Sequence, residues 1–250
     1  MTYSPSPVVR LQETDSTNRY LIELCSHQPP EAFTAVVTHT QTAGKGQRGN
    51  SWESEPGRNL TFSFVMYPTF VSAAQSFVLS QLVALGVKET LDEYTDDIVI
   101  KWPNDIYWRE KKICGILLEN VIAGSRIAQC VSGIGLNINQ AAFHSDAPNP
   151  VSLAQITGRE YDLDLLLSRY MDIVRRSYDA LAAQPATAAA EINRRYTASL
   201  YRRTGFHRYR DDDGEFDARI LRVEPKGQLV LADRAGRERS YWFKEVVFVH

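Results

Sequence analysis

Over its first 200 or so residues the chain alternates short β-branched runs with amphipathic helices, and after about Leu200 that rhythm stops. Residues 34–40 (TAVVTHT), 59–67 (NLTFSFVMY), 97–102 (DIVIKW), 111–122 (KKICGILLENVI) and 126–138 (RIAQCVSGIGLNI) carry the length and composition of strands. Segment 72–94 places Phe77, Val78, Leu82 and Leu85 on one helical face. Residues 162–184 and 186–200 are helical too, separated at Pro185, and 16–25 is a short helix with Ser16 or Thr17 as its cap. From 205 to 250 short mixed runs are broken at Gly214, Gly227 and Gly236, the spacing of a small antiparallel barrel of four or five strands. The expected layout is a large α/β domain over 1–200 and a small β domain over 201–250.

Bulk properties narrow the function. The formal net charge is −2, so no global basic field draws the protein to nucleic acid. Three cysteines, Cys25, Cys114 and Cys130, form no CxxC pair and fit a reducing compartment. The N-terminus has no signal pattern, and no apolar stretch is long enough to span a bilayer. These features predict a soluble cytoplasmic protein with no membrane partner.

The segment QTAGKGQRGNSWESEPGR (41–58) sits between two strands and carries one large apolar side chain, Trp52. Connections of that length without secondary structure are usually functional or disordered. Gly44, Gly46 and Gly49 let the backbone turn amides toward an anion, and Lys45, Arg48 and Arg58 add positive charge. Ordinary turns would use the same glycines. The string matches GxGxxG, yet no helix opens within it, so the dinucleotide fold does not apply; the phosphate-loop pattern is absent. KWPNDIYWREKKICGILLEN (101–120) keeps Trp102 extended before Pro103 and turns sharply, which brings Asp105 near Lys112 across a hairpin. A plain surface hairpin remains open for that segment, and a plain strand end for GIGLNIN (133–139).

Together these strings resemble the biotin–protein ligases. That family carries, in order, a TDSTN-like segment, QTxGxGRxGRxW, KWPNDxY, a lysine followed by a GILxE-like strand, and GxGxNxN. Here they stand as TDSTN (14–18), QTAGKGQRGNSW (41–52), KWPNDIY (101–107), KICGILLE (112–119) and GIGLNIN (133–139). The resemblance implies a catalytic domain like that of class II aminoacyl-tRNA synthetases, followed by an SH3-like β-barrel. It implies ATP and biotin as substrates, with magnesium, and a biotin carboxyl carrier protein as acceptor partner; a homodimer is compatible with it.

By the same resemblance Ser16, Thr17, Asn18, Gln41, Gly44, Lys45, Gly46, Gln47 and Lys112 surround biotin, and Gly115 lets the backbone lie close to it. Lys112 carries most of the chemistry, meeting the biotin carboxylate and the α-phosphate. Lys45, Gln47 and Arg48 bind phosphate, Trp52 covers adenine, and Asn104 and Asn137 complete the ATP site. Asp105 holds Lys112 or supports magnesium. Gln47 and Asn50 stand where many members have arginine. The motifs begin about fourteen residues in, so the helix-turn-helix domain of repressor members is not expected. A lipoate ligase or octanoyl transferase shares the expected fold. An RNA-binding module, suggested by Arg202, Arg203, Arg208, Tyr209 and Arg210, is opposed by the near balance of eleven Lys/Arg against nine Asp/Glu over 201–250.

Overall fold

The computed structural model describes residues 6–44, 46, 52–144 and 149–249. Its larger sheet is built from β1 (Val8–Thr14), β2 (Ala35–Gln41), β3 (Leu60–Met66), β4 (Ile98–Lys101), β5 (Asp105–Trp108), β6 (Lys111–Ala123) and β7 (Arg126–Leu136). The spatial order is β1-β2-β3-β7-β6-β5-β4; β1 runs parallel to β2 and every other pair is antiparallel. Helices α1 (Thr17–His27), α2 (Phe77–Leu91), α3 (Leu153–Thr157), α4 (Leu163–Ala183) and α5 (Pro185–Ala198) accompany it.

Alternation along the central strands assigns the two faces of this sheet. β3 is buried at every position. Phe62, Phe64 and Met66 point into the main core with Cys130 and Ile134 of β7. Val65 points the other way, onto Leu21 and Cys25 of α1 together with Val36 and Val131. On the core face Tyr170 of α4 meets Phe62 edge to face at 5.4 Å. Burying an aromatic ring of this kind stabilises the fold by roughly 1.5–3 kcal/mol. α4 contributes Leu166, Leu167, Tyr170, Met171, Ile173, Val174 and Leu181 at helical spacing, and Asp162 caps it by accepting from Asp164 N and Leu165 N. The opposite face, beneath α1, is where the cleft forms.

The expected elements are all present with shifted ends. Helix 72–94 is shorter, because Ala73–Gln75 forms a 3-10 turn before α2. Pro185, expected to separate two helices, is the first residue of α5, a position that needs no N–H donor. Three elements were not expected: β1, whose exposed-edge pattern dilutes the strand signal, the four-residue β5, and the five-residue α3.

The smaller sheet comprises β8 (His207–Asp211), β9 (Gly214–Val223), β10 (Leu229–Asp233), β11 (Glu238–Tyr241) and β12 (Val247–Phe248). Five antiparallel strands agree with the spacing of its glycines. Closure does not: the order is β11-β10-β9-β8-β12, so among the described residues β11 and β12 are unpaired edges and the sheet is open rather than closed into a barrel. It docks on the larger sheet through Trp102, whose Nε1 donates to Gly227 O at 2.9 Å and whose ring meets Phe243 at 6.0 Å. Among the described residues no helix is long and apolar enough to cross a membrane.

Candidate active site

Between the start of α1, the end of β2 and the exposed face of β6 and β7 lies a cavity of about 100 Å³. At one end stand Ser16, Thr17, Asn18 and Gln41; at the other Asn104, Asp105 and Lys112, with Trp52, Gly115 and Gly135 along its length. Gly46 also lines it.

The first end is built by a helix start. Asp15 Oδ1 accepts from Ser16 N at 2.6 Å, and Ser16 caps α1. Gln41 Oε1 accepts the backbone N–H of Thr17 at 3.0 Å, tying the end of β2 to the first turn of α1. Thr17 and Asn18 are 3% and 5% exposed, so their polar atoms face each other or the cavity. Ser63 Oγ, wholly buried on β3, lies 2.7 Å from Thr17 Oγ1 and 2.6 Å from Asn18 Oδ1. Asn18 Nδ2 donates to Glu119 Oε2 at 2.7 Å.

The second end is built by the β5–β6 turn. Asp105 opens β5 and Lys112 lies near the start of β6, where a bulge between Ile106 and Tyr107 shifts the register. Lys112 Nζ sits 2.8 Å from Asp105 Oδ2, as the hairpin reading expected. Both side chains keep some water, 25% and 34% exposed. The backbone of Lys112 is pinned from the other side too: its N–H donates to Asn149 O and its carbonyl accepts from Val151 N, each at 2.9 Å. A fixed ammonium at that point can meet an anion without a costly search. Beyond Asp105, burial lowers the pKa of Lys101, whose Nζ lies 4.9 Å from the Tyr107 ring.

The floor between the ends is made of missing side chains. Gly115 of β6 pairs directly with Gly135 of β7, and Leu117 with Gly133. A Cβ at Gly115 would come within 2.8 Å of the Trp52 ring, one at Gly135 would overlap the indole, and one at Gly133 would overlap the Asn18 amide. In this structure it is therefore Trp52 that lies against Gly115, its ring centre 5.8 Å from Lys112 Nζ. Trp52 Nε1 is buried with no hydrogen-bond partner among the described residues. Trp52 N donates to Gly44 O at 3.0 Å, and Gly44 is squeezed between Gln41 Nε2 and Trp52 O.

Not every expected residue reaches the cavity. Asn104 lines it while its amide donates to Ile116 O. Asn137 is 2% exposed and lies outside the cavity lining; its amide donates to Val151 O at 3.2 Å and so holds the segment that pins Lys112. Arg58 is paired with Glu160 and with Asn139 O. Lys45, Gln47, Arg48 and Asn50 lie outside the described residues. Among the described residues no group of three or more His, Cys, Asp or Glu could hold a metal ion. Asp105 is engaged by Lys112 at 2.8 Å.

The sequence reading gave no role to Ser63, Glu119, Gly133, Gly135 or Phe243. Ser63 had a signal, a hydroxyl in the middle of the apolar run LTFSFVM, and the two-residue spacing of Gly133 and Gly135 put both on one face. Phe243, which lines the cavity from the smaller sheet, had none.

Comparison with known proteins assigns the chain to a family. The sequence model of the biotin/lipoate A/B protein ligase family matches residues 10–137. A protein of Paracoccus denitrificans named biotin–[acetyl-CoA-carboxylase] ligase is 30% identical over 245 residues, covering 91% of this chain and 95% of the relative. The bifunctional ligase/repressor BirA of Bacillus subtilis is 28% identical over 90% of this chain and 69% of its own length. Among solved structures, the biotin protein ligase of Aquifex aeolicus in complex with biotin and ATP superposes with a TM-score of 0.77, covering 96% of this chain and 97% of that one at 24% identity. The last is a likeness of fold; the first two carry the assignment, and the chain belongs to the biotin/lipoate A/B protein ligase family.

Proposed function

We propose that this chain joins biotin to AMP and then passes it to a lysine of a biotin carboxyl carrier protein. The observation that carries the choice within the family is the polar end of the cavity, where Ser16, Thr17, Asn18 and Gln41 converge. An octanoyl or lipoyl chain brings no amide or urea to such a surface and would leave its polar atoms unpaired, which is costly. The urea ring of biotin has both donors and an acceptor to meet them.

In this reading the biotin ring lies at the α1 end and the valeryl chain takes the glycine floor that Trp52 covers here, so the indole moves off the floor as biotin binds and the carboxylate arrives at Lys112. Asp105 holds Lys112 in place. A carboxylate oxygen attacks the α-phosphorus of ATP and pyrophosphate leaves, while the ammonium offsets the charge gathering on the phosphate. Trp52, moved off the floor, offers its face to adenine; Lys45, Gln47 and Arg48 meet the phosphates. The carrier lysine then attacks the carbonyl carbon of the mixed anhydride, and AMP departs as its amine proton is lost. No side chain becomes a covalent nucleophile. Residues 1–200 form the catalytic unit in this account and 201–250 the appended β unit.

The relative's name, biotin–[acetyl-CoA-carboxylase] ligase, supports a carboxylase carrier domain as acceptor. The test is incubation of the purified chain with ATP, a carrier domain, and either biotin or lipoate. Mass spectrometry should find one biotinyl group on the carrier lysine and none from lipoate; lipoyl transfer without biotinyl transfer would reverse the choice.

A further inference from the structure

The hydrogen bonds around Asn18 have fixed donors and acceptors at both ends, and counting protons between them decides what Thr17 can do. At one end stands the carboxylate of Glu119, which only accepts, so Asn18 must turn its amide nitrogen toward it, as the 2.7 Å contact shows. The other amide contact, to Leu117 O at 3.4 Å, is too long to orient the group alone. Asn18 Oδ1 therefore faces Ser63 and can only accept. Ser63 has one proton, and it is committed to Asn18. Its 2.7 Å contact with Thr17 Oγ1 must then be filled by the proton of Thr17. The competing partner for that proton, Gln41 Oε1, is farther away at 3.4 Å. What Thr17 Oγ1 has left to show the cavity is lone pairs.

Gln41 is fixed by the same kind of count. The N–H of Thr17 is a permanent donor, so Gln41 turns its oxygen to it and keeps its NH₂ group for other partners. The closed end of the cavity thus presents an acceptor from Thr17 and a donor from Gln41. That pattern is complementary to a cyclic urea, with its N–H groups and its carbonyl. We propose that Glu119 is a positioning residue that sets the hydrogen-bond polarity of the head-group end through Asn18 and Ser63, so that Thr17 accepts an N–H of the ligand. This rests on the biotin reading given above.

Changing the far end of the chain should reverse it. A lysine at 119 offers a donor, so Asn18 turns its oxygen outward and its NH₂ toward Ser63. Ser63 then donates to Thr17 and occupies one of its lone pairs, and the Thr17 proton, held only by the 3.4 Å contact to Gln41 Oε1, competes with the ligand N–H for the space between them. Glutamine at 119 can still accept, and keeps the original polarity. Glu119 is exposed, so both substitutions are compatible with folding.

The experiment measures KM for biotin, desthiobiotin and ATP, with the melting temperature, in the full chain and in Glu119→Gln and Glu119→Lys. Glu119→Gln should stay within about threefold of wild type. Glu119→Lys should raise KM for biotin by about tenfold or more, the scale of one misdirected buried hydrogen bond. Desthiobiotin keeps the urea and lacks the thioether ring, so it should lose by the same factor, while KM for ATP and the melting temperature hold. An unchanged biotin KM in Glu119→Lys overturns the proposal. So does equal damage from both substitutions, a parallel rise in KM for ATP, or a loss confined to biotin. A wild-type chain that does not turn over biotin at all overturns the biotin reading together with this one.

Discussion

The indole of Trp52 fills the space that any side chain at Gly135 would need, and Gly115, paired across the strands with Gly135, leaves the adjoining space. Two bare backbones side by side make a flat floor, and the ring that lies on it is held beside Lys112. Gly135→Ala should displace the ring while leaving the sheet ladder intact, because alanine is compatible with a strand. We expect ligand affinity to fall about tenfold or more, since a displaced ring intrudes on the cavity or loses its stacking surface. Titration calorimetry with biotin and with ATP checks this; affinities equal to wild type for both would remove Trp52 from the site.

Asp105 and Lys112 are predicted to separate function from stability. The pair is partly exposed, so Asp105→Asn should change stability by no more than about 1 kcal/mol. With its counter-charge gone, the Lys112 ammonium is less well placed, and the rate of adenylate formation should fall by about tenfold. Single-turnover kinetics and a melting curve on the same preparation test both halves. A large loss of stability with an unchanged rate would make the pair a structural contact.

The cysteines should be silent in the native state. Burial pushes up the pKa of Cys25 and Cys114, and that of Cys130 rises from 9.0 to about 12. The thiolate is the reactive form, so at pH 8 iodoacetamide should label none of the three until the chain is unfolded. For Cys130 the folded pKa lies above the unfolded one. Its contribution is intact below pH 9 and is lost as pH rises toward 12, so unfolding should become easier across that window. Rapid native labelling of Cys114 or Cys130 at pH 8 would contradict the packing described for β6 and β7.

Much of the fold was legible because local pattern and tertiary role agree. The run at β3 is continuous because both of its faces are covered, and α4 carries its apolar residues at helical spacing. β1 was missed because an edge strand mixes exposed and half-buried positions and so lacks a clean period. The open edges of the smaller sheet depend on pairing between distant strands, which glycine spacing does not report. Within the site, the meeting of Asp105 and Lys112 followed from a sharp turn over a few residues. Glu119 could not be read that way, since its contact with Asn18 spans 101 positions and needs the assembled sheet. Asn137 carries a feature that its motif did not report: its amide nitrogen braces the segment behind Lys112.

The central claim, that the cavity activates biotin at Lys112, is tested most directly by exchange of labelled pyrophosphate into ATP. Wild-type protein should catalyse exchange only when biotin is present, and lipoate should not substitute for it. Lys112→Ala should reduce exchange by about 100–1,000-fold, the usual cost of removing one donor from developing charge, with a melting temperature close to wild type. Exchange in Lys112→Ala within threefold of wild type, or exchange that lipoate supports and biotin does not, would contradict the account.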